Sequence, residues 1–378
     1  MDSKKYNNVK LAVGISEGIL SFTLILFFVL TGLSGGLENL LAGYFKGKYL
    51  LFLAYTVSLG IAGGIIFFPF SFYTGFYLEH KYNLSNQTFL KWIWENLKGM
   101  LVSALIGIPI LIFFFYVLNN FGNLWWLPFS ILLFIVSVIL ARIVPIFILP
   151  IFYKITPIDN ENLKMKIAVL AQDAGIKVEN VYTFNMSKNT KKANAAFTGI
   201  GKSKRILLGD TLLNSYSEDE IETVIAHELG HYKKKHILKN IIIGTASSFL
   251  TLFLISVLYH ISLDWFRFAS INQIAALPLL SLWGMLIGVI QTPLSNILSR
   301  KYEYEADQYA VSATRKTAAF IRTLEKLTQQ NLADKDPHPF VEWFFYSHPS
   351  VKNRVAAIEA FAGKNNIAPD AALLTLEK

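Results

Sequence analysis

Two histidines four residues apart flank a glutamate in Ile225-Ala226-His227-Glu228-Leu229-Gly230-His231. On an α-helix a four-residue step turns about 400°, so His227 and His231 project from one face. Two imidazoles so placed can bind one zinc ion, and the glutamate after the first can act as general base on a zinc-bound water. The competing reading is a helix that carries two incidental histidines, and it predicts no further ligand within reach. A hydrolytic zinc site needs a third protein ligand and an open fourth position. The pattern with a histidine six residues after His231 fails, because Ile237 stands there. His236 lies about 140° around an uninterrupted helix from His231 and reads as a membrane-interface residue. The stronger source is Lys301-Tyr302-Glu303-Tyr304-Glu305-Ala306-Asp307. Glu303 and Asp307 are four apart and share a helical face. One can bind the metal while the other hydrogen-bonds a ligand histidine. Glu305 points about 200° from Glu303 and reads as solvent-facing.

The elements that must position these side chains are membrane helices. Of the 378 residues, 53% are hydrophobic and only 16% charged, with a mean hydropathy of +0.42. A soluble domain carries about 25% charged residues. A spanning helix needs about 20 apolar residues. Six runs meet that length: Leu11–Leu33, Leu50–Leu78, Met100–Leu118, Leu127–Tyr153, Ile237–Tyr259 and Ile274–Leu298. Pro145 and Pro150 are expected to bend the fourth. The first run lacks a cleavage-site pattern and reads as a retained span. Trp125 and Trp126 read as interfacial belt anchors, and Glu17 and Arg142 as intramembrane charges lining or structuring the bundle. The absence of cysteine excludes a disulfide framework, a cysteine zinc site and a cysteine nucleophile. The net charge of +9 is spread along loops, which argues against a nucleic-acid surface and for orientation by lysine and anionic lipid. Lys4, Lys5, Lys10, Lys81, Lys91, Lys98 and the lysines of the 154–236 loop put both termini and that loop on the cytoplasmic side.

The 154–236 loop has the pattern of a small α+β unit. Asn160–Ala174 is helical in spacing and stops at Gly175. Val178–Phe184, Ala193–Thr198 and Arg205–Leu208 read as strands. Ser217-Glu218-Asp219-Glu220 is a capping box that opens the helix carrying His227 and His231. No proline follows until after Tyr259, so this helix is expected to continue into span five. His231 then lies roughly 9 Å before that span, and Glu303 roughly 7.5 Å after span six. The three candidate ligands would meet at one depth, just outside the hydrocarbon.

These motifs, with four further stretches, resemble the type I CAAX prenyl proteases, which are integral-membrane gluzincins with a large chamber. The further stretches are Tyr77-Leu78-Glu79-His80-Lys81-Tyr82-Asn83-Leu84-Ser85, Asn194-Ala195-Ala196-Phe197-Thr198-Gly199, Lys204-Arg205-Ile206-Leu207-Leu208-Gly209-Asp210-Thr211-Leu212-Leu213, and Ser347-His348-Pro349 with Arg354. The resemblance runs from about Leu33 to Arg354. It implies that Asn194 lies on an edge strand that pairs with an extended substrate. It implies that His348 helps stabilise the tetrahedral intermediate, and that Arg354 engages the substrate backbone or carboxylate. Two departures stand out: the family usually has seven spans, and Ala196 replaces a commonly aromatic residue. The related bacterial heat-shock membrane proteases share the zinc motifs but are shorter. A site-2-type intramembrane protease is disfavoured, because N-P-D-G is absent and the zinc motif lies outside an apolar run.

The expected fold is mainly α and polytopic, with about six transmembrane helices around a chamber and a small α+β cytoplasmic zinc-protease domain. The expected parts are 1–153 (spans one to four), 154–236 (protease insert), 237–298 (spans five and six) and 299–378 (C-terminal cytoplasmic part). The expected activity is that of a zinc metalloendopeptidase. One zinc would be bound by His227, His231 and Glu303, with Glu228 as base and Asp307 orienting a ligand histidine. Its partners would be the bilayer and a peptide or protein substrate, prenylated in one reading. A broad membrane-protein quality-control protease is the first alternative. A transporter or scaffold with structural zinc is the second.

Overall fold

The computed structural model describes residues 2–175, 181–199 and 205–367. The long apolar runs fold as helices: α1 (Ser3–Leu30), α2 (Leu33–Tyr44), α3 (Lys48–Phe72), α4 (Leu78–Lys81), α5 (Phe89–Asn120), α6 (Trp126–Ile143) and α7 (Leu149–Phe152). In lipid the helix satisfies its own backbone groups, so Pro69 in α3 and Pro109 in α5 are accommodated without ending a span. The expected bend of the fourth span takes the form of a π-helical turn, Val144–Ile148, around Pro145. Among the described residues six helices are long and apolar enough to cross a membrane, and they coincide with the six runs of the sequence.

Two features of the bundle differ from expectation. The short helix α2 had no counterpart in the sequence reading. Its Ser34 hydroxyl donates to Ala275 O at 2.5 Å, and its Glu38 accepts from Ala275 N at 3.0 Å, so it caps the end of the bundle away from the zinc motif. Trp125 is not a belt anchor: it is 2% exposed, packed edge-on to Phe114. A cavity of about 800 Å³ opens inside the bundle, lined by Ser21, Thr56, Leu111, Leu252 and Ser281 among others.

The insert contains β1 (Ile155–Pro157), α8 (Glu161–Asp173), β2 (Val181–Phe184), β3 (Ala195–Thr198), β4 (Arg205–Gly209), α9 (Asp210–Ser215) and α10 (Glu218–Lys233). Of the expected strand Val178–Phe184, residues 178–180 lie outside the described residues, as does Lys204 of the Lys204–Leu213 stretch. Asn160 caps α8 by accepting from Leu163 N, and Gly175 follows it at φ 76°, as its position after a helix requires. The sheet order is β1-β2-β4-β3, with β2 parallel to β4 and the other pairs antiparallel, so β3 is an edge strand. Ile206 and Leu208 from β4, Ile167 from α8, and Ile225 and Leu229 from α10 form the core beneath it. Then come α11 (His236–Trp265), α12 (Pro278–Thr314), α13 (Thr317–Gln330), α14 (Pro339–Phe345) and α15 (Val351–Lys364).

The helix bearing the histidines does not run on into span five. It stops at Lys233, and Lys235 takes the left-handed conformation (φ 58°, ψ 32°) before α11 begins. By contrast α12 is continuous from the bundle interior to Thr314 and carries Glu303 and Asp307 past the apolar segment. The Tyr77–Ser85 stretch clasps the segment that precedes β3. Leu84 O accepts from Lys191 N at 2.9 Å, Asn189 O accepts from Asn86 N at 3.0 Å, and Lys192 Nζ lies 2.9 Å from Glu79.

Candidate metal centre and active site

Ser217 caps α10 through the predicted box: its hydroxyl accepts from Glu220 N, and the Glu220 carboxylate accepts from Ser217 N at 2.8 Å. That fixes where α10 starts, and hence which face carries His227 and His231. The face meets α12 at backbone distance because residue 230 is glycine. A Cβ there would lie 3.0 Å from both Cα and O of Ala306, and 3.1 Å from Cβ of Tyr309. Glu303, about one turn before Ala306, and Asp307, the residue after it, are thereby pressed against the histidines.

The resulting cluster is tight. His227 Nε2 and His231 Nε2 are 3.2 Å apart, and the Glu303 carboxylate lies 3.5 Å from the first and 3.4 Å from the second. One ligand atom from each of the three residues falls within 4.8 Å of the others. Two imidazole nitrogens and one carboxylate oxygen make the donor set of a catalytic zinc with an open position. Glu303 Oε2 is buried and completes no hydrogen bond, although His348 Nδ1 stands 3.0 Å away. A buried carboxylate oxygen facing imidazole nitrogens without a proper hydrogen bond is what a cation site requires. The residues fit zinc.

Asp307 is 1% exposed and sits 2.8 Å from His227 Nδ1. Arg354 reaches the same carboxylate through Nε at 2.8 Å and Nη2 at 2.5 Å, a bidentate pair. Burial opposes a charge on the His227 imidazole, but the Asp307 and Glu303 carboxylates beside it outweigh burial and hold its pKa up at about 9. Arg354, expected on the substrate, has its guanidinium committed to Asp307 in this conformation.

Glu228 is turned toward the sheet, where its Oε2 accepts from Phe197 N at 3.2 Å. Gly209 N donates to Asn194 O at 2.9 Å, so in the antiparallel alternation Asn194, Ala196 and Thr198 bond inward to β4. Ala195 and Phe197 then direct their peptide groups outward, toward Glu228 and open space. Asn194 is exposed at the head of this edge. Gly209 opposite it has no room for a side chain, because a Cβ would meet Met186 Sδ at 2.3 Å.

Of the residues singled out from the sequence, His227, His231, Glu303, Asp307, His348 and Arg354 meet in one cluster, Glu228 turns to β3 and Asn194 stands at the head of that strand, whereas three neighbours were missed. His236 is drawn in by the break before α11, which no glycine or proline announces, and there it meets Glu305 on α12. The donor on Glu228 is a backbone N–H, which has no sequence signature.

The same assignment comes from known proteins. The family described as Peptidase family M48 matches residues 157–362, and CAAX prenyl protease N-terminal, five membrane helices, matches residues 1–154. The chain is 30% identical over 372 residues to an uncharacterized metalloprotease of Bacillus subtilis, YhfN, covering 94% of this chain and 84% of the relative. It is 32% identical over 316 residues to CAAX prenyl protease 1 of Saccharomyces cerevisiae, covering 78% of this chain and 69% of the relative. The crystal structure of S. mikatae Ste24p superposes with a TM-score of 0.85 at 28% identity, covering 94% of this chain and 88% of that one. The chain therefore belongs to peptidase family M48 and, within it, to the type I CAAX prenyl proteases: it is an integral multi-pass membrane zinc metalloprotease.

Proposed function

We propose that this protease cleaves its substrate at a centre whose metal ligands are His227, His231 and Glu303. The convergence of these three side chains beside Glu228 and the open edge of β3 carries the reading. A zinc ion held there would activate water and polarise the scissile carbonyl. Glu228 takes the proton of the attacking water on the oxygen that Phe197 N–H leaves free, and passes it to the departing amine. Asp307 accepts from His227 Nδ1 and so keeps Nε2 available to the metal. Arg354 balances Asp307 and, in this reading, engages the substrate backbone or carboxylate. His348, with a side chain 66% exposed, donates to the oxygen that becomes negative in the tetrahedral intermediate. An extended peptide pairs with Ala195 on the β3 edge, and Asn194 bonds its backbone at the head of that edge.

The division at about residues 153, 236 and 298, the cytoplasmic placement of the site and a lipid-modified substrate belong to the same proposal. Lysine placement supports the orientation. The apolar cavity of about 800 Å³ and the names of the relatives support a prenylated peptide. The test offers purified protein a farnesylated CAAX peptide and an unmodified unfolded protein, with Glu228→Ala as blank. Preferential release of the C-terminal residues of the farnesylated peptide is expected. Equal cleavage of both would replace prenyl specificity with broad quality control.

A further inference from the structure

His236 and Glu305 take no part in the mechanism above, yet both are built into its metal centre. His236 is 1% exposed, and its ring stacks on Tyr302 with centroids 4.1 Å and planes 10° apart. Its Nδ1 lies 3.0 Å from His231 Nδ1, and its Nε2 lies 3.0 Å from Glu305 Oε2. On the other side of the His231 ring, Nε2 faces His227 Nε2 at 3.2 Å and Glu303 at 3.4 Å. An imidazole that offers Nε2 to a metal carries its hydrogen on Nδ1. That hydrogen points at His236 Nδ1, which must then accept. The His236 hydrogen is left on Nε2, where Glu305 receives it. One assignment of protons satisfies all three groups. Lys239 Nζ, 3.8 Å from Glu305 Oε2, compensates the carboxylate at the far end.

We infer that His236 is a positioning residue for the metal centre: with Glu305 behind it, it fixes the ring and tautomer of His231. The two ligand histidines are thus oriented by different devices. His227 is held directly by the Asp307 carboxylate, and His231 is held through an intervening imidazole. The left-handed turn at Lys235 makes this possible by folding the first residue of α11 back onto the last turn of α10. On a continuous helix His236 would have faced away. Tyr302, on α12, sets the plane of the ring and ties this support to the helix that carries Glu303.

This inference rests on the reading of His231 as a zinc ligand. The test measures zinc affinity by chelator competition, and the visible spectrum of the Co²⁺-substituted protein, for the parent, H236A, H236N, E305Q and H231A. H236A is expected to bind zinc about 10–100-fold more weakly and to alter the Co²⁺ bands. H236N, which puts an acceptor oxygen where Nδ1 stood, recovers most of the loss, and E305Q falls between. Parent-like affinity and spectrum in folded H236A would overturn the inference, provided H231A has lost zinc. If H236A does not fold, E305Q decides: an unchanged affinity and spectrum there overturn it equally. Parent-like zinc binding in H231A would instead remove the ligand assignment, and this inference with it.

Discussion

Gly230 sits between a predicted zinc ligand and the helix that supplies another, so its replacement by alanine has a calculable consequence. The added Cβ would stand 3.0 Å from Ala306 Cα, 3.0 Å from Ala306 O and 3.1 Å from Tyr309 Cβ. None of these is the end of a flexible side chain, so α10 and α12 must part. Restoring ordinary contact at 3.4 Å or more requires a shift of about 0.4 Å or more. Metal sites hold ligand distances to roughly 0.2 Å. His227 and His231 would therefore move out of register with Glu303. Overpacking of this kind costs about 1–3 kcal/mol, and each 1.4 kcal/mol is tenfold in an equilibrium constant. If the strain relaxes through the site, Gly230→Ala binds zinc about 10–100-fold more weakly and loses turnover in proportion. Gly288→Ala, on the facing helix α12 with nothing within 4 Å of the added carbon, is the control and should behave as the parent. Chelator competition on both solubilised variants gives the answer. Zinc affinity in Gly230→Ala indistinguishable from the control would refute the claim that this contact sets the ligand geometry.

Three further outcomes follow from the same geometry. Asp307→Asn removes the buried carboxylate that pairs with the half-buried Arg354 guanidinium; breaking a fully buried pair costs about 3–5 kcal/mol, which is the upper bound here. Both zinc affinity and thermal stability should fall, and a variant with parent-like melting would contradict the pairing. In protein stripped of metal, His227 keeps its proton up to about pH 9, so proton and zinc compete below that value. The raised value also means that the proton's stabilising contribution is complete below about pH 6.5 and is lost as pH climbs through about 9. Apparent zinc affinity should rise about tenfold per pH unit between about 6.5 and 9, on top of any slope from the other ligands. A flat titration across that window would remove the His227–Asp307–Glu303 coupling. Ala195→Pro deletes an outward N–H from an edge strand, where proline is tolerated. KM should rise with zinc content unchanged, and an unaltered KM would place the substrate elsewhere.

The membrane part of the fold was legible because a spanning helix must be both long and apolar, and six runs met that test. The His227–His231–Glu303 cluster was legible for a related reason: helical periodicity alone puts His227 with His231, and Glu303 with Asp307. What periodicity cannot show is where a helix stops without glycine or proline. Lys235 takes a left-handed turn that neither glycine nor proline marks, and it brings His236 from the expected interface position onto His231 and Glu305. Trp125 was misread for a similar cause, since interfacial position and burial against Phe114 look alike in one dimension. Arg354 was placed at the site by its motif, but its bidentate partner, Asp307, was not foreseen. The pairing joins α15 to α12 across 47 residues of sequence.

The central claim is that Glu228 performs the proton transfers at a centre built by His227, His231 and Glu303. Zinc content and peptide turnover, measured side by side on Glu228→Gln in the full-length protein, test it most directly. The account predicts one zinc per chain, as in the parent, with cleavage abolished. Full cleavage by zinc-loaded Glu228→Gln would contradict it.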